Sequence, residues 1–136
     1  MSRKILVADD RPYLLRLMQH QLAREGFELI QAQDGFAAVE AAVRETPDLA
    51  VLDVMMPKMD GLSALRRIRR EKKTRAMPVI VLTSSPHEVL REEAKFSGAD
   101  VVLTKPFSPT QLVDEIRRLL SSPLPTEPTF TFAEAT

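Results

Sequence analysis

Five side chains capable of polar chemistry stand at, or just after, the ends of short apolar runs. Asp9 and Asp10 follow "KILVA" (4–8), Asp53 closes "LAVLD" (49–53), Thr83 closes "PVIVLT" (78–83) and Lys105 follows "DVVLT" (100–104). A carboxylate at the edge of a core is costly unless it is paired or used. Two carboxylates about 5 Å apart repel by roughly 3 kcal/mol at an effective dielectric near 20, and three repel more. Without a cation one of them would titrate upward. A hard divalent ion relieves the repulsion, and an incomplete all-oxygen set with room for waters and a phosphoryl oxygen suits Mg²⁺. Beside such an ion Asp53 can be ionised and nucleophilic. Lys105 and Thr83 would then offer a positive charge and a donor to the oxygens of an incoming phosphoryl group.

This chemistry requires elements that bring the five residues together. The runs at 4–8, 27–32, 49–53, 78–83 and 100–104 alternate with stretches of helical spacing. Four have continuously apolar centres, as strands covered on both faces do, while "FELIQA" (27–32) is mixed like an edge strand. Leu14, Met18 and Leu22 form a helical stripe, as do Val39, Ala42 and Val43, then Leu62, Leu65 and Ile68, then Leu112, Val113, Ile116, Leu119 and Leu120. The segment 86–97 is weakly amphipathic through Val89, Leu90, Ala94 and Phe96. Its start signal is clearer, with Ser85 as N-cap, Pro86 at the first helical position and Glu88 completing a capping box. "SPTQ" (108–111) repeats the device, and helices stop at Gly26 and Gly98.

Regular βα alternation predicts an α/β three-layer sandwich, a flavodoxin-like (βα)5 fold with a parallel five-stranded sheet of order 2-1-3-4-5. In that topology polar groups gather beyond the C-terminal strand ends, at the switch point between the first and third strands. The five residues converge there.

The fragments "VADDRP", "LDVMMPKMDG", "VLTSS" and "LTKPF", in this order at strand ends, resemble the receiver domain of two-component response regulators over residues 3 to about 120. The resemblance implies that Asp53 accepts phosphate from a phosphohistidine of a sensor histidine kinase or phosphotransfer protein. It implies that Asp9, Asp10, Asp53 and the backbone carbonyl of Met55 hold Mg²⁺, and that the Lys105–Pro106 peptide is cis. Phosphorylation would move Thr83 and reshape the surface of the fourth helix, fifth strand and fifth helix, for a downstream effector or an attached output domain. Many receivers carry an aromatic residue where this chain has Val102, so coupling through such a ring is not expected here. Ser85 and Met55 stand where family members tune the lifetime of the phosphate. Only self-phosphorylation and self-dephosphorylation are expected, with no separate substrate turned over.

Two other readings compete. A degenerate receiver that acts only as a protein-interaction module would lack an acid or the lysine, and none is missing. An Asp-nucleophile hydrolase would carry a second Asp two residues after the nucleophile, where this chain has Met55. Individually, Asp9 and Asp10 could be a helix cap and its neighbour, and Asp53 a structural partner of Lys105. Asp60-Gly61 and Asp34-Gly35 read as turns, the former also as a helix N-cap. His20 and His87 read as surface residues.

The 136 residues suffice for one domain, assigned to 1–121, with a Pro/Thr-rich linker or disordered tail at 122–136. The chain is either a stand-alone receiver or one cut from a longer regulator. Nineteen basic and nineteen acidic residues leave no net field toward nucleic acid or an anionic membrane, and there is no Cys. "ILVA" is too short for a signal segment, so a cytoplasmic chain is expected. Seven basic residues against one acid in 61–75 read as a solvated face before a docking surface, with direct nucleic-acid binding last.

Overall fold

Strands apolar at every position need cover on both faces. The computed structural model, which describes residues 2–85 and 87–121, provides it. β1 (Lys4–Ala8), β3 (Leu49–Asp53) and β4 (Val79–Thr83) are buried throughout except at Lys4. β2 (Glu28–Ala32) and β5 (Val101–Thr104) are less covered and form the edges. The order is β2-β1-β3-β4-β5, all pairs parallel. The helices are α1 (Pro12–Arg24), α2 (Gly35–Glu45), α3 (Gly61–Arg70), α4 (Glu88–Phe96) and α5 (Pro109–Ser121). This is the expected flavodoxin-like (βα)5 sandwich. The predicted tail at 122–136 lies outside the described residues, as does Pro86. No helix among the described residues is long and apolar enough to cross a membrane.

Side chains alternate across the sheet. Ile5, Val7, Leu49, Val51, Ile80 and Leu82 pack against α1 and α5 through residues such as Leu15, Leu22, Leu112 and Ile116. Leu6, Leu52, Val79 and Val81 pack on the other face with Ala38 and Ala42 of α2, Leu65 and Ile68 of α3, and Ala94 of α4. Each fully buried Leu or Ile contributes about 2 kcal/mol.

Helix boundaries follow local chemistry. The Asp34 carboxylate accepts from Ala37 N–H to cap α2, beyond the turn read from sequence, and the Asp60 carboxylate accepts from Leu62 and Ser63 N–H to cap α3. For Asp60, burial opposes ionisation, but the bonds from Ser63 and Leu62 outweigh it and hold the carboxyl below its ordinary value. Gly26 and Gly98 follow the ends of α1 and α4 with φ of 90° and 114°. Ser108 Oγ accepts from Gln111 N–H at 3.0 Å, as its predicted capping role requires.

Three sequence expectations are corrected. In α1 the buried stripe is Leu15, Met18 and Leu22, and Leu14 turns toward a surface groove. Ser85 is not the N-cap of α4: His87 holds that position without a side-chain cap bond, and Ser85 Oγ accepts from His87 N–H at 3.3 Å. Only Ala94 of α4 is buried, whereas Val89 and Phe96 are 78% and 94% exposed.

The basic stretch 61–75 is also not uniformly a solvated face. The Arg69 guanidinium donates to the carbonyl of Gly98 at 2.7 and 3.1 Å, to that of Met77 at 2.6 Å and to Asp100 at 3.1 Å. One planar fork thereby joins the end of α3, the approach to β4 and the α4–β5 turn. Arg69 is a structural staple between α3, the approach to β4 and the α4–β5 turn.

Candidate functional site

The acidic pair lies where β1 runs out of sheet partners. Asp9 N–H still donates to Ala32 O at 3.0 Å, and its side chain is fully buried, while Asp10 next to it is exposed. Asp53 keeps the parity of Leu49 and Val51, which faces it toward α1 and α5, and it is 4% exposed. Carboxylate oxygens of Asp9, Asp10 and Asp53 lie within 4.8 Å of one another. At that separation each pair repels by roughly 3 kcal/mol at an effective dielectric near 20.

Two cations answer this charge. Lys105 Nζ donates to Asp53 Oδ1 at 2.8 Å and stands 3.7 Å from Asp9 Oδ2. Burial raises the Asp53 carboxyl above its ordinary value of 3.8, with Lys105 opposing the rise and Asp9 adding to it. Arg11 is the second cation, and sequence reading missed it. Its backbone N–H and Nε donate to Asp9 Oδ1 at 3.0 and 3.1 Å, and its Nη2 to Oδ2 at 3.2 Å. The hydrogen bond to Asp9 raises the Arg11 pKa further above its already high ordinary value. The available signal was the "DDRP" spacing: an Asp two residues before an N–H at a helix start commonly closes on that N–H.

Thr83 ends β4 one position beyond the Asp53–Leu82 register pair and is 3% exposed. Its Oγ accepts from Ser85 N–H at 3.0 Å, which leaves the hydroxyl proton for another acceptor. Its carbonyl accepts from Lys105 N–H at 2.7 Å, tying the β4 and β5 ends together. The Lys105–Pro106 peptide is cis. Val102 is 6% exposed and belongs to the core cluster that includes Val81 and Ala94.

The loop after β3 is held by two close approaches that only Gly permits. A Cβ at Gly61 would sit 2.1 Å from the Asp53 carbonyl oxygen, and one at Gly35 would sit 2.0 Å from that of Met59. Gly61 N–H also donates to Val54 O at 2.9 Å. Sequence reading treated both glycines as turn residues, because close approach leaves no local signature. Met55, in this loop, has a 70% exposed side chain, so a role there falls to its backbone.

The donor set fits a hard cation: three convergent carboxylates, two of them buried, all oxygen and no thiolate or imidazole. His20 and His87 are exposed and lie outside the cluster. Beside the acids, a groove of about 460 Å³ runs between α1 and the segment from β5 into α5. Leu14, Leu17 and Phe107 supply apolar wall, and Arg11 and Lys105 belong to both groove and site.

The model of the response regulator receiver domain family matches residues 5–117. Over 120 residues the chain is 39% identical to the alkaline phosphatase synthesis transcriptional regulatory protein PhoP of Bacillus subtilis (strain 168), covering 88% of this chain and 49% of that protein. The same identity and share of this chain hold for the transcriptional regulatory protein SrrA of Staphylococcus aureus (strain NCTC 8325 / PS 47), of which 48% is covered. The chain thus spans about half the length of the curated relatives it matches. Among solved structures, it resembles the receiver domain of the sensor histidine kinase PA1611 from Pseudomonas aeruginosa PAO1, which has a magnesium ion coordinated in the active site cleft. The TM-score is 0.83 at 30% identity, covering 90% of this chain and 100% of that one. Chemotaxis protein CheY4 of Vibrio cholerae gives a TM-score of 0.83 at 30% identity, covering 88% of this chain and 100% of that one.

Proposed function

The chain belongs to the response regulator receiver domain family of two-component signalling, and from that premise we propose that Asp53 is its phosphoacceptor, working with Mg²⁺ held by Asp9, Asp10, Asp53 and the Met55 carbonyl. The observation that carries this reading is the convergence of three carboxylates within 4.8 Å, with Lys105 Nζ 2.8 Å from the central one.

A carboxylate oxygen of Asp53 attacks the phosphorus of a phosphohistidine. The P–N bond breaks and its electron pair stays on the imidazole, which leaves as neutral histidine because its other ring nitrogen carries the proton; the second product is an aspartyl phosphate. When bound by these acids, Mg²⁺ would supply charge neutralisation for the phosphoryl oxygens and for the carboxylates. Lys105 exchanges its bond to Asp53 for one to a phosphoryl oxygen, and the Thr83 hydroxyl donates to another. Hydrolysis of the Asp53 O–P bond by water releases inorganic phosphate and restores the carboxylate, so no separate substrate is turned over.

The new charge biases the fold only by its different affinity for two conformations. With Val102 in the core, the lever is the backbone: movement of Thr83 is felt by Lys105 through their 2.7 Å bond. It is felt by α4 through Arg91, whose Nη1 donates to Thr104 Oγ1 at 3.0 Å. The output is read by a downstream effector or an attached domain; the two curated relatives are named transcriptional regulatory proteins. The complete set of acids and lysine disfavours a phosphorylation-independent interaction module. A cytoplasmic location fits a partner kinase domain on that side of the membrane.

The donor protein is a sensor histidine kinase or phosphotransfer protein, and the apolar groove bordered by Arg11 and Lys105 is where it docks. Leu17, 63% exposed, lies on that groove and away from the acids. Leu17→Glu is therefore expected to slow transfer from a phosphorylated kinase at least tenfold while Mg²⁺-dependent labelling by acetyl phosphate stays within twofold. Radiolabel transfer and intact mass measure the two rates. Equal loss with both donors would mean damage to the site, and no loss with the kinase would place docking elsewhere.

A further inference from the structure

Asp9 is engaged more completely than a ligand awaiting a metal needs to be. Both of its oxygens face the Arg11 guanidinium, Oδ1 from Nε at 3.1 Å and Oδ2 from Nη2 at 3.2 Å. Oδ1 also accepts from the Arg11 backbone N–H at 3.0 Å, and Lys105 Nζ stands 3.7 Å from Oδ2. A planar fork set on a carboxylate in this way covers both oxygens.

We propose that Arg11 is a built-in counter-ion that competes with the divalent cation for Asp9, so that loading the site displaces its guanidinium. This rests on the reading above in which Asp9 is a metal ligand. A monocation and a dication cannot share the same two oxygens without strong repulsion. The backbone bond from Arg11 does not involve the side chain, so Asp9 stays oriented when the fork departs. Departure is open to it: the Arg11 side chain is 39% exposed and borders the groove beside α1, whereas Lys105 is only 17% exposed. Arg11 thus sets the affinity of the cation site, lowering it and leaving the Asp9 charge compensated when no metal is bound.

The test is a calorimetric Mg²⁺ titration of the full chain and two variants. Arg11→Gln keeps the backbone bond and removes the charge, and is expected to bind Mg²⁺ about tenfold more tightly than wild type. Arg11→Lys keeps the charge without the fork and is expected to fall between them. In wild type the Arg11 Nε–H NMR signal is expected to be exchange-protected before Mg²⁺ and to lose protection at saturation. Unchanged or weaker binding by Arg11→Gln, or an Nε–H signal indifferent to Mg²⁺, overturns the competition, since a merely positioning arginine would give those results. Absence of any Mg²⁺ binding by wild type and both variants overturns instead the ligand assignment on which it rests.

Discussion

Asp53→Asn is expected to abolish labelling: incubated with Mg²⁺ and acetyl phosphate, wild type gains the mass of one phosphoryl group and the variant gains none. The amide is neutral and a far weaker nucleophile than a carboxylate. Loss of labelling should not be loss of fold. Asn has nearly the same shape, and its amide oxygen can still accept from Lys105 Nζ, which now bonds Asp53 at 2.8 Å. The titration of Asp53 points the same way. Burial raises its folded pKa above 3.8 despite Lys105. An acid so shifted costs stability once pH exceeds the unfolded pKa and costs nothing below it. The variant should therefore gain on wild type from acid to neutral pH in metal-free thermal melts. Labelling of Asp53→Asn at the wild-type level would put the phosphate on another residue.

Gly61→Ala carries the largest expected effect on the fold. Its methyl would have to occupy a point 2.1 Å from the Asp53 carbonyl oxygen and 3.0 Å from Val54 Cα, both backbone atoms that no rotamer change can move aside. The strand end or the α3 N-terminus must shift, breaking or stretching the 2.9 Å bond from Gly61 N–H to Val54 O. A cost of about 3 kcal/mol follows from overpacking of this kind, or roughly 10 °C in melting temperature for a domain of this size. Because the displaced residue is Asp53, Mg²⁺-dependent labelling should fall as well, even below the melting temperature. Gly26→Ala is the control: its φ of 90° is strained for Ala, but nothing lies within 4 Å of the added methyl. It should cost about 1 kcal/mol and leave labelling alone. Equal effects from the two substitutions would remove close approach as the reason for Gly61.

These cases mark what could be read from sequence and what could not. Strand positions and sheet order were legible because continuous apolar runs such as "VIVL" admit few environments, and the alternation with helices limits the connections. The convergence of Asp9, Asp10, Asp53 and Lys105 then followed from topology, since each stands at a strand's C-terminal end. Arg11 was not legible, because a charged residue in a loop has no periodicity, and its grip on Asp9 exists only once the chain turns into α1. Arg69 looked like one of several surface cations, and only the folded α4–β5 turn brings the Gly98 carbonyl to it. The Leu14 and Leu15 exchange shows the resolution limit of helical spacing: neighbouring apolar residues fit the same stripe, and packing selects one. In α4, Val89 and Phe96 broke the pattern because apolar residues there face outward, which periodicity alone does not separate from core.

The most direct measurement is a crystal structure grown with Mg²⁺ and beryllofluoride. The expected result is a fluoroberyllate bonded to an Asp53 oxygen, with one ion ligated by Asp9, Asp10, Asp53 and the Met55 carbonyl and with Lys105 on a fluorine. An unmodified Asp53 beside acids that hold no ion, or an adduct on any other residue, would contradict it.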